Sequence, residues 1–146
     1  MTSMIFMATD DAPTLYFGVN HSDHVHYYHG GGSYTYITVD PAAGTVTETV
    51  LGPDVANGEK LQIVFPGGVF KAGYLNPPKD QSKGNENHCL IGEAVSPGFD
   101  FRDFQFVDED ALERALAPLG AGLLRKYIAW VKPDKRRNFD DYYQHA

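Results

Sequence analysis

The sequence is short of three things: cysteine, positive charge and long hydrophobic runs. Its single cysteine, Cys89, can form no disulfide within the chain and no Cys-x-x-Cys zinc site, so stability has to come from a packed core. With 12 Lys and Arg against 19 Asp and Glu, the net charge of -7 argues against nucleic-acid binding, which needs a basic field. No apolar run reaches the roughly 18 to 20 residues that cross a bilayer, and the first residues lack the basic and apolar regions of a secretion signal. We therefore expect a soluble, cytoplasmic protein with no nucleic-acid or membrane partner.

Glycine and proline are plentiful instead, and most of them lie before residue 107 between short stretches rich in Val, Ile, Thr, Tyr and Phe. Turn-forming residues placed between short β-prone stretches are typical of an all-β fold with antiparallel strands. Nine strands are predicted, at residues 3–8, 14–19, 24–29, 33–40, 45–51, 61–65, 69–75, 89–95 and 103–106. Pro41 and Gly44 mark a turn between the fourth and fifth strands, which predicts a hairpin, whereas residues 76–87 are expected to form a loop.

After residue 107 the pattern becomes helical. Asp108 or Asp110 can cap a helix whose apolar residues recur at helical spacing until Pro118, and residues 122–131 carry the apolar stripe of a second helix. The length of 146 residues fits one domain. Within it we expect residues 1–107 to form a β-barrel and residues 108–146 a C-terminal helical extension and tail.

Two segments carry motifs specific enough to compare with known families. Residues 65–71 read Phe-Pro-Gly-Gly-Val-Phe-Lys, and residues 97–104 read Pro-Gly-Phe-Asp-Phe-Arg-Asp-Phe. Both resemble the signature segments of the DUF985, or Cupin_5, family of small cupins, over about residues 2–107. The resemblance implies a double-stranded β-helix, the cupin or jelly-roll barrel, with two short C-terminal helices here, and a homodimer. The function of that family is mostly unassigned, and fold alone does not give function.

The resemblance also indicates which residues look into the barrel. Many cupins bind a metal through His and Glu residues of a first motif and a His of a second motif. Aligned on the Glu-x6-Gly spacing, His24 stands in place of the Glu, and Lys71 stands in place of the last ligand. Strand alternation then places His24, His26 and Tyr28 on one inward face.

Imidazoles, a primary amine and phenols can together remove a proton, return it and hold an anion. We predict metal-independent acid–base chemistry on an oxygenated metabolite, of isomerase, epimerase, dehydratase or cyclase type. His24 or His26 would be the base, Lys71 would stabilise the oxyanion, and Tyr28 or Tyr16 would be the acid. The deoxysugar epimerase cupins use a comparable set of residues without a metal. The residues expected to line the substrate site are Tyr16, Phe17, Tyr34 and Tyr36.

Two other functions stay open. One is a non-catalytic module that holds a sugar or another metabolite in the barrel. The other is a metal-dependent oxygenase or lyase, in which His21, His24 and His26 would bind a divalent transition metal. Against the metal, a charged Lys71 offers no lone pair and repels a cation. The histidines would also suit an aromatic-rich strand with no functional role. The primary expectation is therefore no cofactor.

Overall fold

The computed structural model describes residues 1–80, 82 and 87–137. Within these residues nine strands form two antiparallel sheets that face each other. The first sheet has the order β1 (Thr2–Thr9), β8 (His88–Ser96), β3 (Asp23–Gly31) and β6 (Gln62–Phe65). The second has the order β5 (Thr45–Leu51), β4 (Tyr34–Asp40), β7 (Phe70–Leu75), β2 (Thr14–Asn20) and β9 (Phe104–Phe106). The predicted hairpin is confirmed as β4 and β5.

The predicted strands are all present, each with bounds within two residues of those expected. Turn residues therefore located the strands well. Part of the predicted loop, at residues 81 and 83–86, and part of the predicted tail, at residues 138–146, lie outside the described residues.

Two cores hold the molecule together, one on each side of the second sheet. The inner core lies between the sheets and contains Tyr34, Tyr36, Leu51, Phe65, Cys89 and Ile91. The outer core lies between the second sheet and the C-terminal helices. Strand β4 contributes to both, because Tyr34 and Tyr36 point inward while Ile37 and Val39 point outward. This explains why β4 is buried on both faces.

The helices cover the outer face of the second sheet. Helix α1 (Glu109–Leu116) begins at Asp108, whose carboxylate accepts a hydrogen bond from the Ala111 amide at 2.8 Å. Helix α2 (Leu123–Tyr127) continues into a short three-ten turn, from which Trp130 packs against Tyr74 at a ring separation of 5.5 Å. None of the helices in the described ranges is long and apolar enough to cross a membrane.

Candidate functional site

One end of the space between the two sheets is hollow. The cavity there has a volume of about 410 Å³, which lies within the range of small-molecule sites. Its polar lining comes from Thr2, Tyr16, Asn20, His24, His26, Lys71 and Glu93. Its apolar lining comes from Met4, Phe6, Leu15, Val95, Phe99, Phe101 and Phe104. A few polar groups thus converge in a cavity whose walls are otherwise apolar.

Strand alternation and register bring the polar groups together. His24 and His26 share the inward face of β3, and in the neighbouring strand β8 Glu93 lies directly opposite His26. Lys71 reaches the same place from the facing sheet, where β7 pairs with β2 and β4. The cluster therefore joins the two sheets across the barrel interior.

His26 is the most highly connected residue of the site. Its Nε2 atom lies 2.7 Å from the Lys71 Nζ atom and 3.4 Å from a Glu93 carboxylate oxygen, and its Nδ1 atom lies 2.6 Å from the Tyr36 hydroxyl. The ring is only 1% exposed. A neutral imidazole has one donor and one acceptor nitrogen. Two of the three contacts are hydrogen bonds when the Lys71 ammonium donates to Nε2 and the protonated Nδ1 donates to the Tyr36 hydroxyl, and in this tautomer the Glu93 carboxylate makes no hydrogen bond to the ring.

His24 is buried but has no such partners. It is 4% exposed, and neither ring nitrogen has a hydrogen-bond partner among the described residues. Its ring lies 5.8 Å from that of His26 and 5.6 Å from that of Phe65. Buried polar groups are nearly always hydrogen-bonded, so an unpaired imidazole beside a cavity is a group left available to a ligand.

The electrostatics of the cluster separate neutral groups from charged ones. Burial, helped by the positive charge of Lys71, lowers the pKa of both His24 and His26 to about 4, so both rings are neutral at neutral pH. Removal from water lowers the pKa of Lys71 to about 8, against the opposing charge of Glu93. For Glu93 the cost of burial is outweighed by the proximity of the His26 ring and by the Lys71 charge, and its pKa falls to about 2. The site therefore holds one cation and one anion.

An aromatic segment, residues 97–104, borders the cavity. The Phe99 amide donates to the Thr2 hydroxyl at 3.0 Å, and the Ser22 hydroxyl donates to the Gly98 carbonyl at 3.1 Å. At its end the Phe104 ring lies against strand β2 at Gly18, where an added Cβ atom would come within 2.6 Å of the ring. Gly18 thus permits this close approach of an aromatic wall.

A metal ion would find three donors here. His24, His26 and Glu93 each offer a ligand atom, and these atoms lie within 4.8 Å of one another. Imidazole and carboxylate ligands suit several transition metals. The lone pair of His26 Nε2, however, faces the Lys71 ammonium at 2.7 Å. The donors fit a metal in kind and spacing, but the present arrangement of Lys71 does not.

The structure brings together four of the residues named from the sequence. His24, His26 and Lys71 form the polar cluster, and Tyr16 lines the cavity beside them. Their catalytic roles stay predictions. Tyr28 is a correction: it does not line the cavity but packs, partly buried, against the core that contains Tyr36 and Phe65, and its hydroxyl donates to the Gly31 carbonyl.

Three more expectations about lining residues were wrong. Phe17 points to the opposite face of β2 and is buried in the outer core. Tyr34 and Tyr36 point into the barrel but belong to its filled end, where both are almost fully buried. Tyr36 still touches the site from behind, through its hydroxyl on His26.

The expected metal ligand His21 is also corrected. It lies exposed between β2 and β3, and the third donor beside His24 and His26 is Glu93. Sequence reasoning missed Glu93, although a signal was present. In β8 it shares a face with the buried Ile91 and Val95, and a carboxylate on such a face needs a charged or hydrogen-bonding partner.

Comparison with known proteins now identifies the family. A family model described as "Cupin superfamily (DUF985)" matches residues 1–107. The chain belongs to this DUF985 family. Uncharacterized protein YML079W of Saccharomyces cerevisiae is 38% identical to the DUF985 chain over 119 residues, which are 80% of this chain and 56% of the yeast protein. The chain thus spans about half the length of the curated relative it matches.

Solved structures agree on the fold of this DUF985 protein. Protein SO0799 from Shewanella oneidensis is 30% identical, with a TM-score of 0.67 over 86% of this chain and 72% of the other. A dTDP sugar isomerase from Desulfovibrio desulfuricans has a TM-score of 0.59 at 12% identity, over 85% of this chain and 74% of the other. At that identity the likeness concerns the fold alone. The cupin barrel with two short C-terminal helices is confirmed.

Proposed function

We propose that this DUF985 protein is an enzyme that moves protons on a small carbonyl-bearing metabolite without a metal, in an isomerase- or epimerase-type reaction. One observation carries the proposal: a lysine ammonium, fixed by His26 and balanced by Glu93, shares a cavity with a buried histidine that has no hydrogen-bond partner within the described part of the chain. The lysine supplies positive charge where an enolate oxygen would form, and the histidine supplies an available base.

The chemistry follows from these roles. His24 removes a proton from the carbon next to the carbonyl, and the C–H bonding electrons form a carbon–carbon double bond. The carbonyl electron pair moves onto oxygen, where the Lys71 ammonium stabilises the charge. Return of a proton to the same carbon, from His24 or from the Tyr16 hydroxyl that the His24 imidazolium then reprotonates, restores the carbonyl with the original or the inverted configuration. Where that carbon carries a hydroxyl group, transfer of the hydroxyl proton to the enolate oxygen gives an enediol, and protonation of the former carbonyl carbon then moves the carbonyl to the neighbouring position. The low pKa of His24 rises in this step, because the enolate provides a negative neighbour for the imidazolium.

The fold relatives lend support of a limited kind. One cupin barrel of similar fold is a dTDP sugar isomerase, so this architecture does host isomerase chemistry. The residues of this chain supply the specific argument, because they combine a base, a cation and a phenol in a cavity of suitable size.

A metal-dependent reaction is the second candidate, and the spacing of His24, His26 and Glu93 favours it. If a divalent transition metal were bound, it would act as a Lewis acid on a substrate oxygen. Lys71 would then have to leave the Nε2 atom of His26. Metal content therefore separates the two candidates, and Lys71→Met should raise metal affinity because it removes the competing ammonium.

Proton abstraction can be tested before the product is known. In D2O, wild-type protein treated with a chelator should exchange the α-protons of at least one compound in a panel of ketones and keto sugars, as followed by proton NMR. Both Lys71→Met and His24→Gln should slow the exchange by about 100-fold or more. Lys126→Met is the matched control, because Lys126 is exposed and pairs with Glu48 at 3.8 Å. Exchange no faster than in buffer, or exchange that survives Lys71→Met, would refute the proposal, and exchange that needs added metal would establish the second candidate.

A further inference from the structure

The walls of the cavity restrict what the substrate can be. We infer that the site takes a compact carbonyl compound with an aromatic or similarly flat apolar body and at most one negative charge, and that it does not take a nucleotide-linked sugar. The inference rests on the proposed function, because it assumes that the carbonyl oxygen meets Lys71. It is carried by the charge of the lining, the aromatic segment and the remaining walls.

The charge of the lining leaves no cation for a phosphate group. Among the described residues that line the cavity, Lys71 is the only Lys or Arg, and Glu93 already balances it. A diphosphate brings at least two negative charges, and transferring them into this site without further cations would be strongly unfavourable. A single carbonyl or enolate oxygen, by contrast, needs only the lysine.

The nearest arginine in the aromatic segment is already paired. Two nitrogens of Arg102 contact the two carboxylate oxygens of Asp100, at 3.0 and 2.6 Å. Arg102 does not line the cavity, and its side chain is 88% exposed. A diphosphate at the mouth would share this guanidinium with the Asp100 carboxylate, so Arg102 offers it less than a full positive charge.

The aromatic segment offers a different kind of contact. Phe99 and Phe101 line the cavity while remaining 40% and 85% exposed, and their rings meet edge to face at 5.0 Å. Two exposed rings at the mouth of a cavity leave apolar area in water, and a flat ligand would cover it. The rings are held there by the hydrogen bonds of the segment to Thr2 and Ser22.

Much of the remaining wall is apolar. Met4, Phe6, Leu15 and Val95 line the cavity together with Lys71, and Thr2, Tyr16 and Asn20 add a few hydrogen-bonding groups. A sugar ring would place several of its hydroxyl groups against the apolar side chains, and each hydroxyl group left without a partner carries a penalty. A benzene-type ring or short hydrocarbon body would bury apolar area instead. The carbonyl end would meet Lys71 and His24, and the body would meet the phenylalanines.

A coloured phenol tests this substrate class. 4-Nitrophenol has one flat ring, and its phenolate oxygen resembles an enolate. Wild-type protein should bind it at a pH below the pKa of the free phenol and increase the phenolate absorbance, because Lys71 stabilises the anion.

Phe99→Ser and Phe101→Ser should each weaken the binding of 4-nitrophenol about tenfold, the value of one aromatic contact. Phe106→Ser is the matched control, since Phe106 is also 40% exposed but does not line the cavity. Thymidine diphosphate in large excess should not displace the phenol.

The outcomes separate this inference from the proposed function. Displacement by thymidine diphosphate, or equal affinity of the Phe101→Ser and Phe106→Ser variants, would overturn the substrate class. A dimer that dissociates in Phe101→Ser with unchanged phenol affinity would also overturn it, because the rings would then be a subunit contact. Phenol binding that depends on Phe101 but shows no phenolate band in wild type would leave the substrate class standing and remove the role of Lys71. Circular dichroism should confirm that every variant is folded.

Discussion

The two ends of the barrel interior are built from the same strands but serve opposite purposes. At the filled end, strands β4 and β8 contribute Tyr34, Tyr36 and Ile91 to a core without exposed side chains. At the open end, strands β3 and β8 contribute His24 and Glu93 to a cavity. One end therefore maximises packing, and the other keeps a buried imidazole, that of His24, without a hydrogen-bond partner among the described residues beside a cavity. The packed core and the candidate site are separated along the strands, not between domains.

Tyr36 forms the boundary between the two ends. Its ring packs in the filled end, at 5.0 Å from the rings of both Tyr34 and Phe65, and its hydroxyl holds His26 in the open end. The filled end thus acts as a rigid support for the site. This is the arrangement that precise placement of catalytic groups requires. Each of the following predictions tests whether the two ends really differ.

The largest effect on stability is expected when a leucine is truncated to alanine at each end of the barrel in turn. Leu51→Ala removes a fully buried leucine from the filled end and should lower the free energy of unfolding by about 3 to 5 kcal/mol. Leu15→Ala removes a half-buried leucine from the cavity wall and should cost less than about 2 kcal/mol, because space already adjoins it. Urea denaturation measures both values. Equal costs would mean that the open end is as tightly packed as the filled end.

Acid should destabilise the open end before it affects the filled one. The pKa of both His24 and His26 is about 4 in the folded protein, against about 6.5 for an imidazole in the unfolded chain. As the pH falls from 6.5 to 4, the unfolded chain takes up protons first, so stability is lost across this range. The loss should be on the order of a few kcal/mol for the two rings together.

A histidine variant isolates this contribution from that of other acidic groups. Stability should depend less steeply on pH between 6.5 and 5 in His24→Leu than in wild type, by up to one proton. His29→Leu is the control, because His29 is exposed on β3. If both variants keep the wild-type slope, His24 is not a buried, hard-to-protonate imidazole.

At neutral pH the two histidines should respond oppositely to the same substitution. His24→Leu replaces an unpaired buried ring and should stabilise the protein by about 1 kcal/mol. His26→Leu strips partners from Lys71 and Tyr36 and should destabilise it by about 2 to 3 kcal/mol. Thermal unfolding at pH 7 gives both signs. Destabilisation by His24→Leu would indicate a partner for that ring and remove the argument that it awaits a ligand.

The sequence predicts the strands and the inward-facing residues of this protein better than it predicts which end of the barrel each residue occupies. Glycine and proline located the strands, and alternation with the family resemblance brought His24, His26 and Lys71 together. Alternation gives the face of a residue but not its depth along the barrel, so Tyr28 and Tyr34 were placed in the cavity although they lie in the filled end.

Two other features of the site do not follow from the regular alternation of residues along a strand. Strand β2 has a register irregularity between Leu15 and Gly18, so that Leu15 and Tyr16 both line the cavity, against strict alternation. Glu93 was overlooked because its role depends on the strand opposite it, where His26 lies. Pairing between distant strands is a tertiary fact that a single sequence specifies only weakly.

A small effect on stability, but a specific effect on the site, is expected from the boundary residue itself. Tyr36→Phe keeps the ring in the filled end but removes the hydroxyl that lies 2.6 Å from His26 Nδ1, at a cost of about 1 kcal/mol. Without that partner, the proton of His26 is no longer fixed on Nδ1, and nitrogen NMR should detect a mixture of tautomers. The exchange of α-protons should slow because Nε2 then holds Lys71 less well.

Tyr34→Phe is the matched control: its ring neighbours Tyr36 at 5.0 Å, but no hydrogen bond from it to His26 appears among the described residues. If Tyr34→Phe changed the His26 signals as much as Tyr36→Phe, the filled end would influence the site through packing alone, and the hydroxyl would have no positioning role.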